Sequence, residues 1–191
     1  MCTGKCSRCI AFTLYPLAFI SIICNIVLFF PGWDAKYAKD GHITEEVKYM
    51  GGLIGGGLML LIPALYISLT GEQGCCGNRC GMLLSIVFAA MGVAGGLYSF
   101  SVAVLGLGHG PLCKDGNGEW KTPFKNSNSS YLTNYDWWGD CTEPKNVVQF
   151  NIRLFITLMA ASCLQVLLCA IQMINGLFGC LCGTCSNKEE P

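Results

Sequence analysis

Cysteine is the residue through which this chain could do chemistry, and its 14 copies fall into three settings. Cys2, Cys6 and Cys9 open the chain, Cys75, Cys76 and Cys80 share a short polar gap, and Cys180, Cys182 and Cys185 follow the last long apolar run. These nine sit beside predicted helix ends, where juxtamembrane thiols take reversible S-palmitoylation. Zinc is a rival reading, because Cys2-x3-Cys6-x2-Cys9 and Cys180-x-Cys182-x2-Cys185 are loosely ligand-like. Structural zinc sites use cleaner C-x2–4-C pairs, and reduced, unmodified thiols are a third reading. Cys24, Cys163 and Cys169 lie inside apolar runs. Cys113 and Cys141 are the two cysteines of one long polar segment, as a single disulfide would require. Such a bridge would close 29 residues, which the chain-entropy model values at about 3.6 kcal/mol.

Other reactive groups are sparse. His42 and His109 are the only histidines, and neither accompanies a cysteine cluster that it could activate. There is no H-E-x-x-H, no phosphate-cradling G-x-x-x-x-G-K-[ST] and no G-x-S-x-G. No enzyme, metal or cofactor is expected. A net charge of zero offers no footprint for nucleic acid.

The elements that must carry these residues are set by where charge is absent. Cys9–Trp33, Tyr49–Gly71, Cys80–Cys113 and Leu154–Asn187 contain no Asp, Glu, Lys or Arg, and together they make up 116 of 191 residues. About 20 apolar residues cross a hydrocarbon core as a helix, and a charge at the centre of a span costs at least ~2.5–3.5 kcal/mol. The runs are continuous rather than alternating, which argues for helices over barrel strands. The first run is longer than a signal-peptide core and lacks a small-x-small cleavage site, so it reads as an uncleaved span. The expected fold is an all-α membrane protein, one four-transmembrane-helix bundle over residues 1–191. Its spans are Ile10–Phe30, Tyr49–Leu69, Met82–Leu107 and Leu154–Leu181, with Gly108–Arg153 as a small disulfide-stapled extracellular loop domain.

Orientation rests on two opposed signals. The long loop holds the paired cysteines and the glycosylation triplet Asn128-Ser129-Ser130, both marks of an extracellular segment. The positive-inside rule disagrees. Lys5, Arg8, Arg79 and Lys188 would be inside, against Lys36, Lys39, Lys48, Lys114, Lys121, Lys125, Lys145 and Arg153 outside. The cysteine distribution is taken to decide, with both termini cytosolic. Trp120, Phe124, Tyr131, Tyr135, Trp137 and Trp138 would either close the loop or rest on the membrane interface.

Within the spans, Gly51, Gly52, Gly55 and Gly56 form overlapping GxxxG patterns, and Gly92 and Gly96 repeat the theme. Small residues let helices approach closely in lipid, inside the bundle or between copies. Asn25, Gln165, Gln172 and Asn175 are the notable intramembrane polar residues. Gln165 and Gln172 lie seven apart and share a face, as cross-helix hydrogen-bonding partners or as the lining of a substrate path. Proton relays and ion-coupled carriers use charged groups, which these spans lack. Pro16 and Pro63 are expected to kink their helices.

Several segments resemble one family. Met1-Cys2-Thr3-Gly4-Lys5-Cys6-Ser7-Arg8-Cys9, Phe30-Pro31-Gly32, the Gly51–Leu60 run and Cys75-Cys76-Gly77-Asn78-Arg79-Cys80 are similar to the transmembrane-four L-six family of tetraspanin-like surface proteins. So are Gly110-Pro111-Leu112-Cys113, Cys141-Thr142-Glu143-Pro144 and Leu168–Gly176. The likeness covers nearly the whole chain and is nearest to members four and five. It implies a plasma-membrane protein, present also in vesicles, acting through lateral partners such as integrins or growth-factor receptors in adhesion, motility and growth. The chain departs from true tetraspanins in carrying Cys75-Cys76-Gly77 in the small inner turn. It departs from relatives in that Asn151-Ile152-Arg153 is not a glycosylation triplet. A non-enzymatic organiser in the bilayer, free to form homo-oligomers, is the leading reading. A small channel, or a lipid or small-molecule transporter or sensor, is the alternative. A claudin-like junction protein is disfavoured, because Pro31–Lys48 contains Trp33 but no cysteine.

Overall fold

The computed structural model describes residues 3–70, 79–125 and 131–182. Four helical segments are long and apolar enough to cross a membrane: Gly4–Leu28, Glu45–Thr70, Cys80–His109 and Val147–Leu181. The first is α1 (Thr3–Leu28), which runs through Pro16. A 3-10 turn at Pro31–Trp33 and a short α2 (Lys36–Lys39) follow. α3 (Glu45–Lys48) leads into a π-helix at Gly51–Leu58 and then α4 (Met59–Thr70), which carries Pro63. α5 spans Arg79–His109 and α6 spans Val147–Cys182.

α1 and α6 begin several residues before their charge-free stretches, since helix hydrogen bonding needs no apolar side chain. At 36 residues, α6 is about 54 Å long at 1.5 Å per residue, well beyond a hydrocarbon core of about 30 Å. Its first turns, with Gln149, Asn151 and the charged Arg153, precede the charge-free stretch that begins at Leu154.

The side-chain sorting is that of a lipid-bathed bundle. Phe12, Phe19, Ile23, Leu65, Val87 and Leu167 point outward, whereas Ala11, Ala18, Ala64, Ala89 and Ala103 are buried, as are Ser21 and Ser85. In lipid, exposing a large apolar side chain costs nothing, so close packing of small residues drives association. α5 and α6 share the most extensive interface, and α1 packs on both α4 and α6.

The second span differs from the plain α-helix expected for it. Met50 adopts φ +50 and breaks the helix after α3, and Gly51–Leu58 then winds as π-helix. Glycines adapt readily to this wider turn. A Cβ on Gly55 would lie 2.5 Å from the carbonyl oxygen of Gly95, and one on Gly95 would lie 2.7 Å from that of Gly55. Gly51 and Gly55 serve close approach to α5, whereas Gly52 meets α1 and α6 and Gly57 meets α1.

Candidate functional site: the two-loop cap and the bundle beneath it

At one end of the bundle both connecting loops fold into a single cap. In the long loop, β1 (Cys113–Lys114) pairs antiparallel with β2 (Trp120–Lys121), Cys113 opposite Lys121. A disulfide joins Cys113 to Cys141, with Cα atoms 5.4 Å apart, and Lys114 bridges to Glu143. A small core of Cys113, Phe124, Tyr131, Val147 and Val148 forms beneath. Phe124 stacks on Tyr131 at 4.4 Å, and the Tyr131 hydroxyl donates to the Leu107 carbonyl at 2.6 Å. Burial pushes the Tyr131 phenol up to about 12. Trp138 donates its indole N–H to the Tyr131 carbonyl at 3.0 Å. Of the loop aromatics, Phe124 and Tyr131 close the core, Trp137 and Trp138 pack partly against it, and Tyr135 stays 68% exposed.

The first loop docks onto the second, a contact that sequence reasoning did not find. His42 stacks on Trp120 with ring centroids 4.1 Å apart, and Tyr37 meets the same indole edge-on at 5.8 Å. The buried Glu46 carboxylate contacts His109 Nδ1 at 2.5 Å. The Thr44 hydroxyl accepts long hydrogen bonds from the Leu112 N–H at 3.4 Å and the Asn151 amide at 3.5 Å. Between the loops lies a cleft of about 490 Å³ whose lining includes Glu46, Lys48, His109, Trp120, Lys121 and Lys125.

Beneath the cap, the intramembrane polar residues reach across the bundle. Asn25 Oδ1 accepts from the Leu53 N–H at 3.1 Å, within the π-helix. Gln165 donates to the Ser21 hydroxyl at 3.1 Å and to the Gly56 carbonyl at 3.0 Å. Gln172 donates to Ser7 at 3.0 Å and Ser85 at 3.3 Å, and Asn175 donates to Ser7 at 2.9 Å. Ser162 donates to Ser99 at 2.8 Å. Gln165 and Gln172 are fully buried, and their serine partners sit on α1 and α5. The serines escaped sequence reading because only helix register distinguishes them from any other serine.

The predicted packing glycines all face neighbours. A Cβ on Gly51 would lie 2.7 Å from Val102, one on Gly52 2.7 Å from Leu158, and one on Gly56 3.0 Å from Ser21. For Gly92 the neighbour is Cys169 Sγ at 2.6 Å, and for Gly96 it is Val166 at 2.7 Å. Gly95, part of the Gly92-x-x-Gly95-Gly96 pattern, is equally close-packed, as are Gly106 and Gly176, which the sequence did not single out.

Of the terminal and gap cysteines, Cys6, Cys9 and Cys80 are exposed and Cys180 is half-buried, all toward the helix ends away from the cap. Cys182 lies in the last turn of α6. Cys2, Cys75, Cys76 and Cys185, and the Asn128 triplet, lie outside the described residues. Cys24 and Cys169 are buried in the bundle, and Cys163 is exposed on the flank of α6.

The family model described as L6 membrane protein matches residues 1–186. The chain belongs to the L6 membrane protein family. Human transmembrane 4 L6 family member 1 is 42% identical over 198 residues, covering 100% of this chain and 98% of that protein. Human member 5 is 42% identical, with the same coverage. Mouse member 4 is 44% identical across 97% of this chain and 94% of its own length. No solved structure is significantly similar. This L6 family chain is accordingly a multi-pass membrane protein, with four long apolar helices and a disulfide in the loop between the last two.

Proposed function

We propose that this L6 protein is a non-enzymatic organiser of the plasma membrane that binds other membrane proteins laterally and presents its cap to the cell exterior. The carrying observation is the fusion of both loops into one surface, through His42 on Trp120 and Glu46 against His109. A stapled, docked cap offers a partner a preformed surface, and preorganisation lowers the entropy cost of binding. The disulfide favours an oxidising compartment for that end, which supports the reading of cytosolic termini with Gly108–Arg153 as the extracellular loop. Asn128 is the glycosylation candidate of that loop. The cysteines at the other end would take fatty acyl chains and so tune clustering, including clustering of like copies.

Integrins and growth-factor receptors are the partner class, with adhesion, motility and growth signalling as the outcome. Against a channel or carrier stands the use of Asn25, Gln165, Gln172 and Asn175 in cross-helix hydrogen bonds. The test places a photo-crosslinking residue at the exposed Tyr135 in native cells. Discrete membrane-protein adducts, lost when Cys113 and Cys141 are both changed to serine, are the expected result. Background labelling alike in both chains would overturn the proposal.

A further inference from the structure

A second feature lies on the flank of the bundle, where α1 and α6 emerge from the apolar region. A groove of about 440 Å³ is lined by Val27, Trp33, Asn146, Gln149, Phe150, Arg153 and Leu154. Four of these residues, Gln149, Phe150, Arg153 and Leu154, form a stripe on one face of α6, one turn apart in adjacent pairs, and Asn146 stands just before its first turn with φ +59. The stripe is ordered by depth. Amides come first, a guanidinium next, and Leu154 opens the charge-free stretch below. From Gln149 to Arg153 the helix rises about 6 Å, the thickness of one headgroup layer, about 5–8 Å.

The opposite wall supplies the remaining parts. Trp33 is 79% exposed and meets Phe150 edge-on at 6.2 Å, at the level where amphipathic aromatic rings settle in a bilayer. Below Val27 the same face of α1 continues with Ile23 and Ile20, both exposed. No carboxylate lines the groove, and none of the salt bridges among the described residues uses Arg153. A guanidinium without an ion-pair partner among the described residues, set above an apolar channel, matches a molecule with an anionic head and an apolar tail.

We propose that this groove is a binding site for a phosphodiester lipid of the leaflet nearer the cap. The Arg153 guanidinium takes the phosphate, a geometry suited to bidentate N–H···O bonds. The amides of Asn146 and Gln149 reach headgroup and glycerol oxygens. One acyl chain lies along Val27, Ile23 and Ile20, and Trp33 closes the groove at the interface. The site is separate from the cleft between the loops and does not depend on the identity of any protein partner.

The test reconstitutes the full chain in nanodiscs carrying a trace of photoactivatable phosphatidylcholine. A second arm carries a photoactivatable galactosyl diglyceride, whose headgroup has no phosphate. Phosphatidylcholine adducts should concentrate on peptides covering residues 27–33 and 146–154. They should fall about tenfold in Arg153→Gln, the loss expected for a charge-assisted pair. Trp33→Ala, a change at an exposed side chain, should reduce the same adducts. Lys145→Gln, whose side chain does not line the groove, should leave them unchanged. Galactolipid adducts should be sparse and indifferent to Arg153. Equal phosphatidylcholine labelling in the wild type and Arg153→Gln, equal labelling by the two lipids, or a protein adduct in place of a lipid on those peptides would overturn the assignment.

Discussion

The imidazole of His42 lies flat on the indole of Trp120, ring centroids 4.1 Å apart and planes within 10° of parallel. One ring comes from the first loop and the other from β2 of the second, so this stack holds two sequence-distant segments as one cap. Aromatic pairs contribute about 0.5–1.5 kcal/mol beyond their burial. His42→Ala should therefore loosen the first loop without unfolding the bundle. Hydrogen exchange at residues 36–42 should accelerate several-fold while amides in α5 and α6 keep their protection. Unchanged exchange at residues 36–42 would mean that the stack does not hold the loop.

Tyr131 ties the cap to the top of α5 through the Leu107 carbonyl. Its phenol is raised from 10.0 to about 12 by desolvation. The unfolded cap would ionise this tyrosine first, so the unfolded state binds fewer protons between these two values. Stability is then full below pH 10 and falls as the pH rises toward 12. Phenolate absorbance should show one tyrosine titrating late and joining the others once Cys113 and Cys141 are replaced by serine. A Tyr131→Phe chain should lose the late step.

Gln165 acts as a donor, through Nε2 to Ser21 and to the Gly56 carbonyl. Its Oε1 is buried with no partner among the described residues. Gln165→Leu removes two bonds worth roughly 0.6 kcal/mol each but also removes that lone oxygen, so its cost should be about 1 kcal/mol or less. Gln165→Glu replaces the donor by acceptors facing the Gly56 carbonyl and should cost more. Thermal unfolding in detergent ranks the two, and a glutamate variant as stable as the leucine variant would refute the donor role.

How far these features could be read from sequence depends on whether local composition or helix register creates them. Absence of charge exposed the four apolar segments, and two cysteines alone in a loop exposed the Cys113–Cys141 pair. Gln165 and Gln172 stood out because amides are rare in apolar runs. Their partners Ser7, Ser21 and Ser85 did not, because serine is common in transmembrane helices and its role depends on which residue of another helix it faces. The docking of the first loop was hidden for the same reason: nothing local in His42 or Glu46 points to Trp120 or His109. The π-helix at Gly51–Leu58 is not legible in the sequence, since glycine spacing is compatible with either winding.

Gly95 offers the sharpest packing test. An alanine methyl there would lie 2.7 Å from the Gly55 carbonyl oxygen, a backbone atom that cannot swing aside. Forcing α5 away from the π-helix should cost about 1–3 kcal/mol. Gly108, also in α5, has nothing within 4 Å of its notional Cβ, so Gly108→Ala should be neutral or stabilising by up to about 1 kcal/mol. Equal melting temperatures for the two variants would show that the Gly55–Gly95 approach is not tight.

The proposed acylation at the helix ends away from the cap should discriminate among cysteines by depth. Cys6, Cys9 and Cys80 are exposed near the starts of α1 and α5, within reach of an enzyme working at the membrane surface. Cys24 and Cys169 are buried among helices. Cys163 is exposed but lies ten residues along α6 from Arg153, about 15 Å deeper at 1.5 Å per residue. That depth is near the middle of a hydrocarbon core of about 30 Å, so exposure there means contact with lipid tails rather than access from water. Alkyne fatty-acid labelling with hydroxylamine release and site mapping should therefore find Cys6, Cys9 or Cys80 modified, and Cys24, Cys163 and Cys169 unmodified. Serine replacement at Cys6, Cys9 and Cys80 should lower total label, whereas Cys163→Ser should not. Label on Cys163 would mean that α6 does not sit at the proposed depth, and the placement of Arg153 at the membrane boundary would fail with it.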